Sequence, residues 1–165
     1  MSDSVRETAI AAIEAGLCVL PVTTDGAKKP ALASWTRYQE VASTLEEVER
    51  WFAAEDATGL ALVTGAVSGD LELFEFDDGA LIDPFLARAA GAGIDEIVQR
   101  IRAGYREATP DGGQHWLYYL AGGGAKTTPL ARRPATDRHG RPFAKPLIET
   151  KGEGGYVICT DRGHG

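Results

Sequence analysis

Three short segments carry side chains that could act on a phosphate, and they follow one another along the chain. The segments are LELFEFD at 71–77, GGQH at 112–115 and LIE at 147–149. Their chemical groups are the carboxylates of Glu75, Asp77 and Glu149 and the imidazole of His115. Carboxylates are the ligands that Mg²⁺ and Mn²⁺ prefer, and a nearby histidine can contact a triphosphate. The set therefore indicates nucleotidyl transfer.

The first segment reads as a strand with two faces. Side chains alternate along a strand, so Glu75 and Asp77 point one way while Phe74 and Phe76 point the other. Two carboxylates placed together repel each other unless a cation or a shared proton lies between them. An amphipathic strand with a solvated acidic face is the alternative interpretation. The apolar run at 60–64, a predicted buried strand just upstream, favours the functional one.

The second and third segments could bring their polar groups to the same place. Two glycines allow a tight turn and a close backbone approach before His115, which starts the predicted strand 116–120. A plain packing or surface role is the other interpretation of this histidine. Glu149 precedes a glycine-rich turn and a returning strand, with Lys151 close by. Glu149 would join Glu75 if their strands are neighbours.

The elements that must position these groups follow from caps and periodicity. Capping boxes at 4–7 and 44–47 open two helices, and Gly16 ends the first. Further helices are predicted at 81–90 and 94–107. Strands are predicted at 17–22, 60–64, 71–77, 116–120, 146–149 and 156–160. Mixed helices and strands with a hairpin-like end predict an α+β fold.

The composition is that of an ordinary globular chain. Its 165 residues suit one domain, 1–165, with a real core, and no apolar run approaches the ~20 residues of a membrane span. No basic, apolar leader opens the sequence. Cys18 and Cys159 lack the paired spacing of a zinc site or a disulfide framework, which suits a reducing cytoplasm.

The charge is unevenly distributed. The net charge is −7, yet the segment 126–151 is basic. Its cations are Lys126, Arg132, Arg133, Arg138, Arg141, Lys145 and Lys151. The phosphates of a nucleic acid could lie along this segment, since binding them needs cations. A mobile, solvated loop is the equal alternative, and prolines at 129, 134, 142 and 146 predict an extended, irregular path in both cases.

The ordered motifs resemble a known family across nearly the whole chain. They are GLCVLP at 16–21, GAKKP at 26–30 with Trp35, Trp51, TGAVSGDL at 64–71, and ETKGEGGY at 149–156, beside the three segments above. In this order they resemble the bifunctional DNA primase/polymerase domain of the archaeo-eukaryotic primase superfamily, in its actinobacterial and phage variant. Glu75 and Glu149 stand where the superfamily usually has Asp, and Asp111 stands where it has Ser.

The resemblance implies a fold and a site. The fold would be an RRM-like catalytic sheet with an N-terminal helix and strand layer. Glu75, Asp77 and Glu149 would ligate two Mg²⁺ or Mn²⁺ ions, and His115 would donate to a phosphate of the incoming dNTP or NTP. The further nucleotide-binding residues implied are Lys151, Gly113 and Lys29.

The resemblance also implies partners. They are a single-stranded DNA template with its primer, nucleoside triphosphates, and a helicase domain or protein, in phage, plasmid or bacterial replication. No membrane partner is expected. The DNA-binding residues implied are Arg132, Arg133, Arg138 and Arg141. Family members usually continue past the third segment, so the chain is expected to be a catalytic fragment or a minimal module.

Two other functions fit parts of the sequence. A Mg²⁺-dependent nuclease of the D…ExK type would use Asp77 with Glu149 and Lys151, but it leaves the GGQH segment unexplained. A degenerate nucleotide- or DNA-binding module without catalysis is motivated by Asp111 and by the early end of the chain.

Overall fold

The computed structural model describes residues 2–23, 29–53 and 59–159. Most of the GAKKP segment and the end of the last predicted strand lie outside these ranges. The helices are α1 (Ser2–Glu14), α2 (Leu45–Ala53), α3 (Ile82–Gly91) and α4 (Asp95–Arg102), with short 3-10 helices at Thr36–Gln39, Ala66–Ser68 and Gly79–Leu81. The strands are β1 (Val19–Val22), β2 (Gly59–Val63), β3 (Leu71–Phe76), β4 (Tyr105–Ala108), β5 (Gln114–Tyr119), β6 (Thr128–Thr136), β7 (Pro142–Lys151) and β8 (Tyr156–Cys159).

The strands form two antiparallel sheets. The smaller sheet has the order β1-β2-β8, and the larger has the order β4-β5-β3-β7-β6. Every pair of neighbouring strands is antiparallel. Helices together with two antiparallel sheets agree with the predicted α+β fold. The strand β3, which carries Glu75, lies at the centre of the larger sheet.

The two faces of the larger sheet are covered differently. Phe74, Phe76 and Trp116 are buried in a cluster with residues of α3 and α4, so these helices cover one face. On the other face, Leu73 and Leu117 are buried with residues of α1, α2 and the smaller sheet. This second layer covers only part of its face. The predicted placement of Phe74 and Phe76 on the buried face of β3 is therefore confirmed.

The predicted caps differ in outcome. Thr44 and Glu47 form the expected reciprocal box at α2. The N–H of Thr44 donates to Oε2 of Glu47 at 3.0 Å, and the N–H of Glu47 donates to Oγ1 of Thr44 at 3.2 Å. Gly16 follows α1 with a φ of +83°, as a helix-ending glycine should. The box at 4–7 was wrong as a start, because α1 already begins at Ser2.

Two segments differ from prediction. The helix expected over 94–107 ends at Arg102, and Gly104 separates it from strand β4. The segment 126–145, expected to be irregular, is mostly a hairpin of β6 and β7. Its prolines are tolerated because β6 is an edge strand and because β3 pairs with β7 only from residue 148 onward. None of the described helices is long and apolar enough to cross a membrane.

Candidate active site

The register of the larger sheet brings residues from all three segments into one line. Glu75 on β3 lies directly opposite His115 on β5 and, on its other side, opposite Glu149 on β7. Glu107 on β4 lies opposite His115 and extends the line to the sheet edge. Direct cross-strand partners project from the same face. We call Glu107, His115, Glu75 and Glu149 the cross-strand row.

The side chains of the row are mostly buried, but solvent still reaches some of them. The side chains of Glu75 and Glu149 are 25% and 17% exposed, and that of His115 is 10% exposed. Leu73 and Leu117 pair with each other one step along the same face and are buried in the core. The apolar layer therefore ends where the row begins, and the acids stand at its open margin.

Lys151 supplies a positive charge beside the row. Its ammonium hydrogen-bonds Glu75 and lies 3.2 Å from Oε1 of Glu149. Burial acts to raise the pKa of Glu75, but the adjacent His115 and the Lys151 ammonium outweigh it and lower the pKa to about 2. Burial raises the pKa of Glu149, and repulsion from Glu75 adds to it against the opposing Lys151 charge. Burial disfavours the charged form of Lys151, yet the two carboxylates raise its pKa overall. The ammonium thus occupies the position at which both acids require a cation.

Asp77 lies just past the end of β3 and has a different partner. Its carboxylate is 2.8 Å from the ammonium of Lys145, and its N–H donates to the carbonyl of Leu147. Its side chain is 41% exposed. Among residues 2–23, 29–53 and 59–159, no three His, Cys, Asp or Glu side chains are grouped closely enough to hold a metal ion. The structure therefore brings together Glu75 and Glu149 but leaves Asp77 on Lys145.

His115 is held between two acids. Its Nδ1 lies 2.7 Å from Oε1 of Glu107, and its Nε2 lies 3.6 Å from Oε1 of Glu75. Burial acts to lower the pKa of the ring, but the hydrogen bond to Glu107 and the proximity of Glu75 raise it overall. Glu107 was missed from sequence because 94–107 fitted a helix. Gly104, which interrupts the helical pattern just before YREA at 105–108, was the available signal that the helix ends early.

The glycine before His115 serves the packing of the sheet. Gly113 is buried, and a Cβ there would collide with the carbonyl oxygen of Phe76 at the end of β3. Its N–H donates to the hydroxyl of Thr109 at 2.9 Å. The close approach that this glycine permits is thus to β3, which fixes the start of β5 and with it His115. A contact between Gly113 and a nucleotide stays a prediction.

The remaining predicted cations lie outside the row. Lys29 is exposed after β1, and within the described part of the chain no hydrogen bond or ion pair connects it with the acids. Arg132, Arg133 and Arg138 are exposed along the β6–β7 hairpin. Arg141 is also exposed and pairs with Asp137 at 3.0 Å. We call residues 128–151 the basic arm; its strand β7 also carries Lys145, Glu149 and Lys151.

This geometry can bind a cation and an anion side by side. Glu75 and Glu149 converge on the ammonium of Lys151, and the ring of His115 lies on the other side of Glu75. The sequence model of the family described as "Bifunctional DNA primase/polymerase, N-terminal" matches residues 9–164, nearly the whole chain. No curated protein matches the chain at a significant level.

Proposed function

The chain belongs to the family of bifunctional DNA primase/polymerase N-terminal domains, and from this membership we propose that it is a metal-dependent nucleotidyltransferase. It adds nucleotides to DNA on a single-stranded template during phage, plasmid or bacterial replication. Its reaction joins the 3′-hydroxyl of a primer, or of a first nucleotide, to the α-phosphate of an incoming triphosphate.

One observation carries the proposal. Glu75, His115 and Glu149 are far apart in sequence, yet they are direct cross-strand partners on one face of the larger sheet. Phosphoryl transfer is promoted by positioning the reactants and by neutralising charge. Two carboxylates that can hold a metal, beside a histidine that can donate a hydrogen bond to phosphate, suit that reaction. The same row lies on the face that α3 and α4 leave uncovered, which supports the RRM-like arrangement of the sheet.

The carboxylates of Glu75 and Glu149 have the chemistry to bind a divalent cation, although a third acid, Asp77, would have to leave Lys145 to complete the set. Glu75 and Glu149 already converge on the ammonium of Lys151, which acts as an internal stand-in for a bound cation. Their oxygen ligands suit Mg²⁺ or Mn²⁺. We propose that Glu75 and Glu149 hold the metal and that Asp77 joins them on leaving Lys145. Bound metal would neutralise the triphosphate and activate the attacking hydroxyl.

The chain's own cations bind the rest of the substrates. In its protonated form, which Glu107 and Glu75 favour by raising the ring pKa, His115 donates Nδ1–H to Glu107 and offers Nε2–H to a phosphate oxygen of the incoming nucleotide. Lys151, which lies between the acids here, would contact the same triphosphate when a metal takes its place. The exposed arginines of the basic arm lie on the hairpin whose strand β7 carries Glu149, so they can hold the template or primer backbone next to the site.

The nuclease interpretation fits the register less well. It needs Asp77 to share a metal with Glu149, whereas the residue opposite Glu149 is Glu75 and the partner of Asp77 is Lys145. A polymerase lengthens a labelled primer and a nuclease shortens it, so one assay separates the two functions.

The experiment follows a labelled primer on a single-stranded template with all four dNTPs and Mg²⁺ or Mn²⁺. We expect lengthening by the wild type and at least a hundredfold loss in Glu75→Gln and Glu149→Gln. Glu72→Gln is the matched control, because Glu72 is a buried acid of the same strand β3 but points to the opposite face, where Tyr118 donates to it. Glu72→Gln should lengthen the primer like the wild type.

Other outcomes would contradict the proposal. Metal-dependent shortening of the primer would favour the nuclease. Nucleotide or DNA binding without any change in primer length would favour a non-catalytic module. Equal loss in Glu72→Gln and Glu75→Gln would show that burial of the acid, rather than its place in the row, matters.

A further inference from the structure

Glu107 has no part in the chemistry described so far, yet it is the most deeply buried acid of the cross-strand row. Its side chain is 0% exposed, although it lies on the edge strand β4. A charged group is rarely buried unless it is paired and hydrogen-bonded. Its Oε1 lies 2.7 Å from Nδ1 of His115, and its Oε2 accepts from the hydroxyl of Tyr105 at 3.3 Å. The sheet therefore holds this carboxylate in hydrogen-bond contact with His115.

We propose that Glu107 is a positioning residue for His115. An ionised carboxylate only accepts hydrogen bonds, so Nδ1 of His115 must carry the hydrogen in this pair. The tautomer and ring orientation of a histidine are set by the partner of one nitrogen, which decides what the other nitrogen faces. With Nδ1 held by Glu107, Nε2 is directed at the Glu75 side of the ring, where the two lie 3.6 Å apart.

The register explains why the arrangement is rigid. Glu107 and His115 are direct partners of β4 and β5, and His115 and Glu75 are direct partners of β5 and β3. Both side chains of the Glu107–His115 pair are at most 10% exposed, so water competes little for their hydrogen bond. The ring is thus fixed by backbone pairing on both sides before any ligand arrives. Its role in nucleotide binding rests on the proposed function, whereas its orientation does not.

The test compares Glu107→Gln with wild type and with Glu72→Gln. The glutamine amide can donate or accept, so it no longer dictates which nitrogen of His115 carries the hydrogen. Glu72→Gln neutralises a similarly buried glutamate on the opposite face of the same sheet. The first readout is the ¹⁵N NMR spectrum of the His115 ring in nucleotide-free protein at alkaline pH, where the ring is neutral. We expect the Nδ1–H form in wild type and Glu72→Gln and a mixture of forms in Glu107→Gln.

The second readout is primer extension kinetics. We expect Glu107→Gln to raise the KM for dNTP roughly tenfold, in line with the effect of removing other orienting partners, with a smaller change in kcat. Folding is checked by thermal unfolding of all three proteins. An unchanged His115 tautomer in Glu107→Gln, or an unchanged KM in an active enzyme, would overturn the proposal. If wild type does not extend primers, the proposed function fails, and the NMR comparison alone decides the role of Glu107.

Discussion

Lys151 is the only cation that contacts both Glu75 and Glu149 within the described part of the chain. The pair would otherwise be two like charges facing each other across neighbouring strands, which is unfavourable. Its position explains how the fold tolerates an acidic site before ligands bind. Under the proposed function, binding of a metal would exchange one cation for another between these acids.

Lys151→Met should therefore destabilise the protein in metal-free buffer. Removing one member of a partly buried ion network leaves uncompensated charge, and we expect a loss of about 2 kcal/mol in the free energy of unfolding. Urea unfolding with a chelator present measures it. Lys145→Met is the control: its pair with Asp77 is more than one-third exposed on both sides, and such pairs contribute about 0–1 kcal/mol. Equal losses in the two variants would contradict the role given to Lys151.

The pKa of Glu75 gives a prediction for acid stability. Because the folded pKa is lowered from 4.5 to about 2, the ionised form stabilises the fold above pH 4.5, and this contribution is lost as pH falls towards 2. Glu75→Gln has no such proton to bind. Between pH 6 and pH 3 the wild type should lose about 2 kcal/mol more unfolding free energy than Glu75→Gln. Urea titrations at both pH values check the difference, and parallel losses would count against the assigned pKa.

At the scale of elements, the turn from β4 to β5 determines where His115 stands. Gly113 lets β5 begin against the backbone of β3, and any side chain there meets the Phe76 carbonyl. This requirement is a matter of packing, so it is separate from ligand binding.

Gly113→Ala should displace the start of β5 and cost about 1–3 kcal/mol in unfolding free energy, the usual cost of overpacking. His115 would move with the strand, so primer extension should fall as well. Gly91→Ala is the matched control, because a Cβ there meets nothing within 4 Å on helix α3. Alanine should be neutral or stabilising at that helical position. Thermal unfolding of both variants measures the contrast, and an equal response would argue against the clash.

The sequence predicts elements well where one local pattern dominates. The placement of Phe74 and Phe76 on the buried face of β3 and the capping box of α2 follow from local patterns, and both are confirmed. The strand β4 was missed because its four residues directly follow a helix. They show too little strand periodicity to be told apart from a continuation of that helix. The strands of the basic arm over 128–145 were missed because its prolines argue against strands, and only the sheet order shows that β6 is an edge.

The same limit applies to the candidate site. Strand alternation put Glu75 and Asp77 on one face, but only the register shows that Glu149, not Asp77, is the partner of Glu75. The contacts of Lys151 and Lys145 depend on side-chain positions across strands. Glu107 pairs with His115 through β4, which the sequence did not reveal. Long-range pairing thus decides which predicted residues meet.

At the scale of the whole molecule, the charge is divided between an acidic body and the basic arm. With a net charge of −7, the protein as a whole repels nucleic acid, so affinity for DNA must come from a local positive surface. The arm provides one, with exposed arginines on both sides of its tip. The arm joins the larger sheet through β7, whose residue Glu149 belongs to the cross-strand row, so under the proposed function DNA bound to the arm would lie next to the row.

We therefore expect Arg132→Ala/Arg133→Ala to weaken binding of a single-stranded oligonucleotide roughly tenfold or more at moderate salt. Removing one phosphate contact should make the slope of log affinity against log salt shallower by about 0.7, so removing two should change it by about 1.4. The control, Arg88→Ala/Arg100→Ala, makes the same change in net charge on exposed positions of α3 and α4. Fluorescence anisotropy across a salt series measures both. If the two double variants bind alike, net charge rather than the arm governs DNA binding; if only the arm variant loses affinity and slope, the arm is the contact surface.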